Sequence, residues 1–439
     1  MVKLLLKKII PKMIFSIYYR LLAQLAALIY GFPSEKMIVV GVTGTTGKST
    51  VVNLIARVLE QTGAKVGLTT TFNFRIGEKE WENKTKMTML GRFALQKLLK
   101  QMLRAGCCYA VIETSSQGVE QYRHLGINYD IGVFTNLSPE HIESHGSFDK
   151  YRQAKQKFFQ HLIASKKKII DNKLINKVGI INLDDENSGY FLKFKTDKQY
   201  GYTLVNFNFQ SAPPAGGWRT KLQIIEAENI VANFSGLGFS VNNTDFKLNL
   251  LGKFNVYNAL AAICVGLSQG VSLGVCQKAL ADIKQIPGRM EVLIKEPFVV
   301  LVDYAHTPDS LEKVYQTIKP LIQGKMICVF GSAGGGRDKW KRPIIGGIAE
   351  KYGDEIIITN EDPYDEDPRE IIDQISQGVK NKNFYKIFNR EEAIKKSLSL
   401  ARKGDAIVIT GKGSEPWIMG AKGEKLAWDD RAVVKSFLN

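Results

Sequence analysis

The chain has 439 residues, 44% hydrophobic and 23% charged, a globular composition that excludes a disordered or fibrous chain. Its length exceeds one ordinary domain, so two or three are expected. Lys and Arg number 60 against 43 Asp and Glu, for a net charge of +17. That suits anionic partners such as nucleotides, sugar nucleotides or an acidic membrane face, while no interleaved basic and aromatic pattern marks nucleic acid as a partner. The five Cys, at 107, 108, 264, 276 and 328, show no metal or disulfide spacing and read as reduced thiols.

Residues 1–32 are basic and then apolar. Lys3, Lys7, Lys8 and Lys12 lead into a run where Ser16, Arg20 and Gln24 recur every four residues, a polar stripe along one side of a helix. Three placements are open: a helix packed on the protein's own body, a helix on an anionic membrane surface, or a signal peptide or spanning anchor. Arg20 in mid-run and the lack of a small-residue cleavage site argue against the last. Pro33-Ser34 ends the element.

Residues 37–50, MIVVGVTGTTGKST, combine a β-branched strand, a glycine loop and the start of an apolar-periodic helix. That context makes a phosphate-binding loop credible. Gly44 and Gly47 let backbone N–H groups close on phosphate oxygens, with Thr45 and Thr50 in the same loop. Lys48 would meet the β/γ-phosphates and Ser49 a Mg²⁺ ion. The usual G-x-x-x-x-G-K spacing is missed, because Val42 stands where its first glycine would be.

From 37 to about 165, apolar runs such as 109–113 and 130–135 alternate with amphipathic stretches such as 93–103. This predicts an α/β domain with a largely parallel sheet, whose ligands bind beyond the strand ends where Glu113 and Asn136 lie. Short runs and polar turns over 166–250 predict a smaller antiparallel excursion, and 252–268 a helix. Ile286-Pro287-Gly288 predicts a domain boundary, dividing a 37–285 domain from a 286–439 domain. Strands are expected in the latter at 298–303, 326–330, 355–359 and 405–410.

Further constellations carry chemistry. Glu113-Thr114-Ser115-Ser116 closes a strand. Residues 134–146, FTNLSPEHIESHG, cluster Glu140, His141, Glu143 and His145. These are plausible Mg²⁺ or water-holding groups, although His141 taken alone reads rather as a structural or hydrogen-bonding histidine. Asp303 to Asp309 follows another strand. The run 331–338 is a second glycine loop, whose Arg337 could take a phosphate or carboxylate bidentately.

In order along the chain stand GVTGTTGKST (41–50), ETSSQGVEQYR (113–123), FTNLSPEHIESHG (134–146), YRQAK (151–155), GKFNVYNALAA (252–262), PGRME (287–291), VDYAHTPDSL (302–311), the RDKWKRP stretch (331–343), GKGSE (411–415) and WDDR (428–431). This ordered series resembles the Mur ligases, nearest the type that adds the third residue of the peptidoglycan stem peptide. The resemblance implies an α/β fold with a central P-loop ATPase domain and a C-terminal Rossmann-like domain that binds the amino acid. It also implies ATP and Mg²⁺ as cofactors. ATP would phosphorylate the terminal carboxylate of a UDP-N-acetylmuramoyl dipeptide, and an amino acid would attack the acyl-phosphate to form an amide.

By resemblance, Lys48, Glu113, His141 and Lys155 are catalytic. Ser49, Glu113, His141 and Lys155, the last as a carbamate, hold metal; a bare ammonium would repel Mg²⁺. Asn255, Asn258, Arg289 and Asp303 match nucleotide contacts. Thr88, Ser115, Gln121 and Arg123 match groups around the muramoyl peptide, and Asp362, Gly411 and Glu415 groups around the amino acid. About 36 residues precede the loop strand, where the family carries a domain that holds the uridine nucleotide; that domain is expected to be missing here. Tyr364 stands where diaminopimelate-specific members have an Arg, and cannot form its bidentate pair. Two alternatives are a related ligase with a polyglutamate or lipid-linked acceptor, and a nucleotide-binding scaffold without turnover. The expected state is a cytoplasmic monomer in cell-wall synthesis, with residues 1–32 able to meet the inner membrane face.

Overall fold

Successive residues of the strand Ile38–Thr43 serve opposite faces of one sheet: Val40 and Val42 join one apolar cluster and Val39 the other. A sheet covered on both sides needs such unbroken apolar strands. A computed structural model of the chain describes residues 12–140, 142–204 and 222–437. Its main sheet has nine strands, in the order Leu222–Glu226, Lys198–Thr203, Val178–Asn182, Ile131–Phe134, Ile38–Thr43, Tyr109–Glu113, Val66–Thr69, Asn73–Ile76 and Lys79–Glu82. All pairs are parallel except those of the last two strands. The helices Lys48–Glu60, Phe254–Ser268 and Leu273–Ala281 cover one face, and Arg92–Arg104 and Phe148–Ala164 the other.

The expected antiparallel excursion over 166–250 is corrected in its larger part. Val178–Asn182, Lys198–Thr203 and Leu222–Glu226 extend the main sheet in parallel. Val178–Asn182 is buried along its whole length, as a strand covered on both faces must be; the polar turns around it obscured this. Among the described residues of this range, antiparallel pairing is left to Glu228–Asn233, Gly236–Val241 and Thr244–Leu248, which form a sheet of their own, and to the short hairpin Ile169–Ile170/Lys173–Leu174.

A second sheet holds Glu291–Ile294, Val299–Val302, Ala406–Ile409, Met326–Phe330, Glu355–Thr359 and Phe384–Ile387, in that order. Only its edge strand Glu291–Ile294 is antiparallel. Leu301, Cys328 and Ile358 pack on the Pro308–Ile318 and Pro368–Ser376 helices, and Val302, Val329 and Ile409 on Arg390–Leu400.

The N-terminal helix Lys12–Tyr30 packs against Arg92–Arg104. Ser16 Oγ donates to Tyr122 Oη at 2.8 Å, and the Arg20 guanidinium lies 5.0 Å from the Tyr122 ring centre. Part of the expected polar stripe therefore meets the protein body. Lys3, Lys7 and Lys8 lie outside the described residues. Among the described residues no helix is long and apolar enough to cross a membrane.

Candidate active site

The glycine loop leaves the carboxyl end of Ile38–Thr43, between Tyr109–Glu113 and Ile131–Phe134. The chain turns to opposite sides of the sheet at this point, where α/β sheets collect ligands. Gly47 caps the helix Lys48–Glu60 at φ 80°, a left-handed conformation that suits glycine. A Cβ there would lie 2.6 Å from Asn258 Oδ1, so the loop is seated directly on the Phe254–Ser268 helix. Asn136 clamps it from the other side: its Oδ1 accepts Thr46 N–H at 2.9 Å and its Nδ2 donates to Thr46 O at 3.2 Å. The free N–H groups and positive dipole end of Lys48–Glu60 make this an anion site. Lys48 Nζ donates to Thr45 O at 2.7 Å.

Glu113 is buried at the next strand end. Its Oε2 accepts from Ser49 Oγ at 2.7 Å and from Thr71 N–H at 2.9 Å, and its Oε1 from Thr71 Oγ1 at 3.1 Å. Thr88 Oγ1 lies 3.1 Å from the same Thr71 hydroxyl. Hard oxygen donors are thereby gathered next to the anion site. Behind the loop, Lys155 is 1% exposed and its Nζ donates to Gly44 O at 2.6 Å. Burial, then the nearby Lys48 charge, pushes the Lys155 ammonium well below its ordinary range, toward the neutral amine.

The second half brings a square of charges. Lys412 Nζ donates to Asp362 Oδ1 and to Glu415 Oε2, each at 2.8 Å. Lys86, from the first half, reaches Asp362 Oδ2 at 2.8 Å and Glu415 Oε2 at 2.9 Å. Tyr304 Oη donates to Glu415 Oε1 at 3.1 Å. Burial alone would raise the Glu415 carboxyl; Lys412 and Lys86 overcome this and hold it at about 2. The ammonium groups share the same two carboxylates unequally. Burial and the Lys412 charge lower Lys86, while the deeper Lys412, despite its burial, is raised by Glu415 and Asp362. Lys412 is the more firmly held charge: both lysines reach both carboxylates, but its side chain is fully buried whereas that of Lys86 is 12% exposed. Asp338 further joins the halves by accepting the N–H groups of Ile142 and Glu143 at 3.2 and 2.9 Å, and His306 Nε2 lies 3.1 Å from Glu140 Oε1.

Between the two sheets lies a cavity of about 590 Å³. Thr45, Gly47, Lys48, Ser49, Thr50, Thr88, Glu113, Ser115, Arg123, Asn255, Asn258, Arg289, Asp303, Asp362, Gly411 and Glu415 all line it. Asn258 Nδ2 donates to Asn255 Oδ1 at 2.7 Å. Asp303 accepts the N–H groups of Met290 and Ala305, both at 2.7 Å, and burial raises its carboxyl. The Arg289 guanidinium lies 4.4 Å from the Tyr304 ring centre. Gly44 and Lys155 sit behind the lining. Gln121 is exposed at the rim and accepts from Arg123 Nη2 at 2.6 Å. His141 lies outside the described residues. Glu415, expected to face an amino-acid ammonium, is paired instead with two lysines of the chain itself.

Sequence reasoning passed over Thr71, Lys86 and Lys412. Thr71 had a readable signal, a run of three threonines after an apolar strand-like run. Lys412 sat unremarked inside GKGSE. Lys86 had none, because its partners lie in the other half of the chain.

Residues 42–266 match the Mur ligase middle domain, and 288–413 match the Mur ligase, glutamate ligase domain. A UDP-N-acetylmuramyl-tripeptide synthetase of Roseiflexus sp. (strain RS-1) is 37% identical, over 95% of this chain and 81% of that protein. A UDP-N-acetylmuramoyl-L-alanyl-D-glutamate–2,6-diaminopimelate ligase of Bacillus cereus is 35% identical, over 97% and 83%. A solved structure of a ligase with that same name superposes with a TM-score of 0.59 at 29% identity, covering 92% of this chain and 79% of that one. Through both matched domains and these relatives, the chain belongs to the Mur ligase family of ATP-dependent amide-forming ligases.

Proposed function

We propose that the protein adds an amino acid to a UDP-N-acetylmuramoyl dipeptide, forming the third residue of a peptidoglycan stem peptide through an acyl-phosphate. One observation carries the reading: a phosphate loop with Ser49 and Glu113 faces the Asp362–Lys412–Glu415 cluster across a single cavity. A carboxylate and an ammonium do not condense unaided at neutral pH. Transfer of the γ-phosphoryl group forms a bond from the acceptor carboxylate oxygen to phosphorus and releases ADP. The amino acid, having given up an ammonium proton, then attacks the acyl carbon, and inorganic phosphate leaves as the amide forms.

In this reading, residues 37–285 bind ATP and 286–439 the amino acid. Lys48 and the loop N–H groups hold the phosphates, Asn255, Asn258, Arg289 and Asp303 flank the nucleoside, and Ser115, Gln121 and Arg123 the acceptor. Ser49 and Glu113 would hold Mg²⁺. Their hard oxygens fit it, and Mg²⁺ takes few protein ligands beside water and phosphate. The ion would neutralise phosphate charge during transfer. Burial of Lys155 favours the neutral amine, the form that would add carbon dioxide and lose a proton to become a carbamate. Movement of Lys86 would open one side of Glu415, still held by Lys412, to the incoming ammonium.

The test is a purified-enzyme assay with ATP and UDP-N-acetylmuramoyl-L-alanyl-D-glutamate against a panel of amino acids, read by phosphate release and product mass. Phosphate release that needs both acceptor and amino acid is expected. No release with any pair, despite tight ATP binding, would overturn the reading.

A further inference from the structure

We propose that the face formed by the helices Lys12–Tyr30 and Arg92–Arg104 docks the protein on an anionic lipid surface. The first helix is packed inside out. Its fully buried residues are small, Ala23, Ala26 and Ala27, none more than 1% exposed, with Phe15, Tyr19 and Leu22 half-buried beside them. Six bulky side chains point away from the protein: Ile14, Ile17, Tyr18, Leu21, Leu28 and Ile29 are each more than half exposed, from 51% to 65%. Their spacing places them on a single stripe of the helix. A contiguous exposed apolar stripe on this scale marks an interaction site.

The charge around the stripe identifies the occupant. At its C-terminal end, Leu28 and Ile29 share a groove with Lys97, Lys100 and Arg104 of the neighbouring helix. The sequence carries no acidic residue from Met1 to Ser34 and none from Arg92 to Arg104. An apolar stripe with basic side chains along its rim is the pattern of a helix lying in the interface plane, its apolar side in the acyl boundary and its cations on lipid phosphates. The helix lies on the bilayer rather than across it, since no described helix can span one. A second copy of the chain is the poorer occupant, because two acid-free basic faces would meet and repel.

The test uses the full chain in flotation with vesicles of phosphatidylcholine alone and of phosphatidylcholine with about a quarter phosphatidylglycerol. Binding to the anionic vesicles only, weakened by salt, is expected. Replacing Lys97, Lys100 and Arg104 together by Gln should lower the partition coefficient by roughly a hundred-fold, at about five-fold per charge. Leu21→Asp with Leu28→Asp should abolish binding without lowering the melting temperature, since both side chains are exposed. Equal binding to both vesicles, or binding to neither, would overturn the proposal. So would concentration-dependent dimerisation in light scattering that the Asp variant removes, which would assign the face to a second copy. Neither readout depends on ligase activity.

Discussion

Replacing Lys412 by Met removes the ammonium shared by Asp362 and Glu415, each 2.8 Å from it. The Lys412 side chain is 0% exposed, and its partners are 8% and 15% exposed, so water cannot take its place. Removing one partner of a buried ion pair costs about 3–5 kcal/mol. Lys86 stays within 2.8 Å of Asp362 and 2.9 Å of Glu415, which keeps the expected loss near the lower end, about 3 kcal/mol. The pH dependence has a definite sign. Glu415 is held at about 2 in the folded protein, below the roughly 4.3 of an unfolded glutamate. Its stabilisation is full above the unfolded value and is lost as pH falls through the folded one. Without Lys412 the folded value rises toward the unfolded one, Lys86 still holding the carboxylate, so the variant takes up the proton at a higher pH than the intact protein. The deficit of the variant should therefore hold from neutral pH to about pH 4 and shrink below it, toward the folded value of about 2. The chain is too large for a single two-state transition, so the assay is hydrogen exchange at the Ala406–Ile409 amides, corrected for intrinsic rates, at about pH 7.5 and about pH 3. A loss below about 1 kcal/mol at neutral pH, or an equal loss at both pH values, would refute the reasoning.

Glu113→Gln removes the charge that Ser49 and Thr71 hold in place, and should raise the Mg²⁺ concentration needed for phosphate release by about 10–100-fold; an unchanged Mg²⁺ titration would remove Glu113 from the metal site. Lys155→Ala should lose activity that bicarbonate does not restore, while short-chain carboxylates restore part of it. Full activity in that variant would dispose of the carbamate.

Local chemistry was legible in the sequence. The strand, glycine loop and helix of residues 37–60 are written in neighbouring residues, and the parallel strands at 109–113, 326–330 and 355–359 were expected as they stand. Each depends on apolar runs and turn residues close together in the chain. The strand Val178–Asn182 was misassigned because its neighbours in the sheet are distant in sequence, and pairing direction is set by which strand lies alongside.

The sequence by itself determined the family and pointed to the glycine loop and to part of the residues that line the cavity, because motifs carry these locally. Only the tertiary structure decided how the charges are shared. Ser49, Thr71 and Glu113 meet because separate strands end at one level of the sheet, and Lys86 meets Asp362 and Glu415 because the two halves face each other across the cavity. It also decided which side of the first helix faces outward. Apolar periodicity alone would bury Leu21 and Leu28; the close fit available to Ala23, Ala26 and Ala27 against the neighbouring helix turns the bulky stripe to the surface instead.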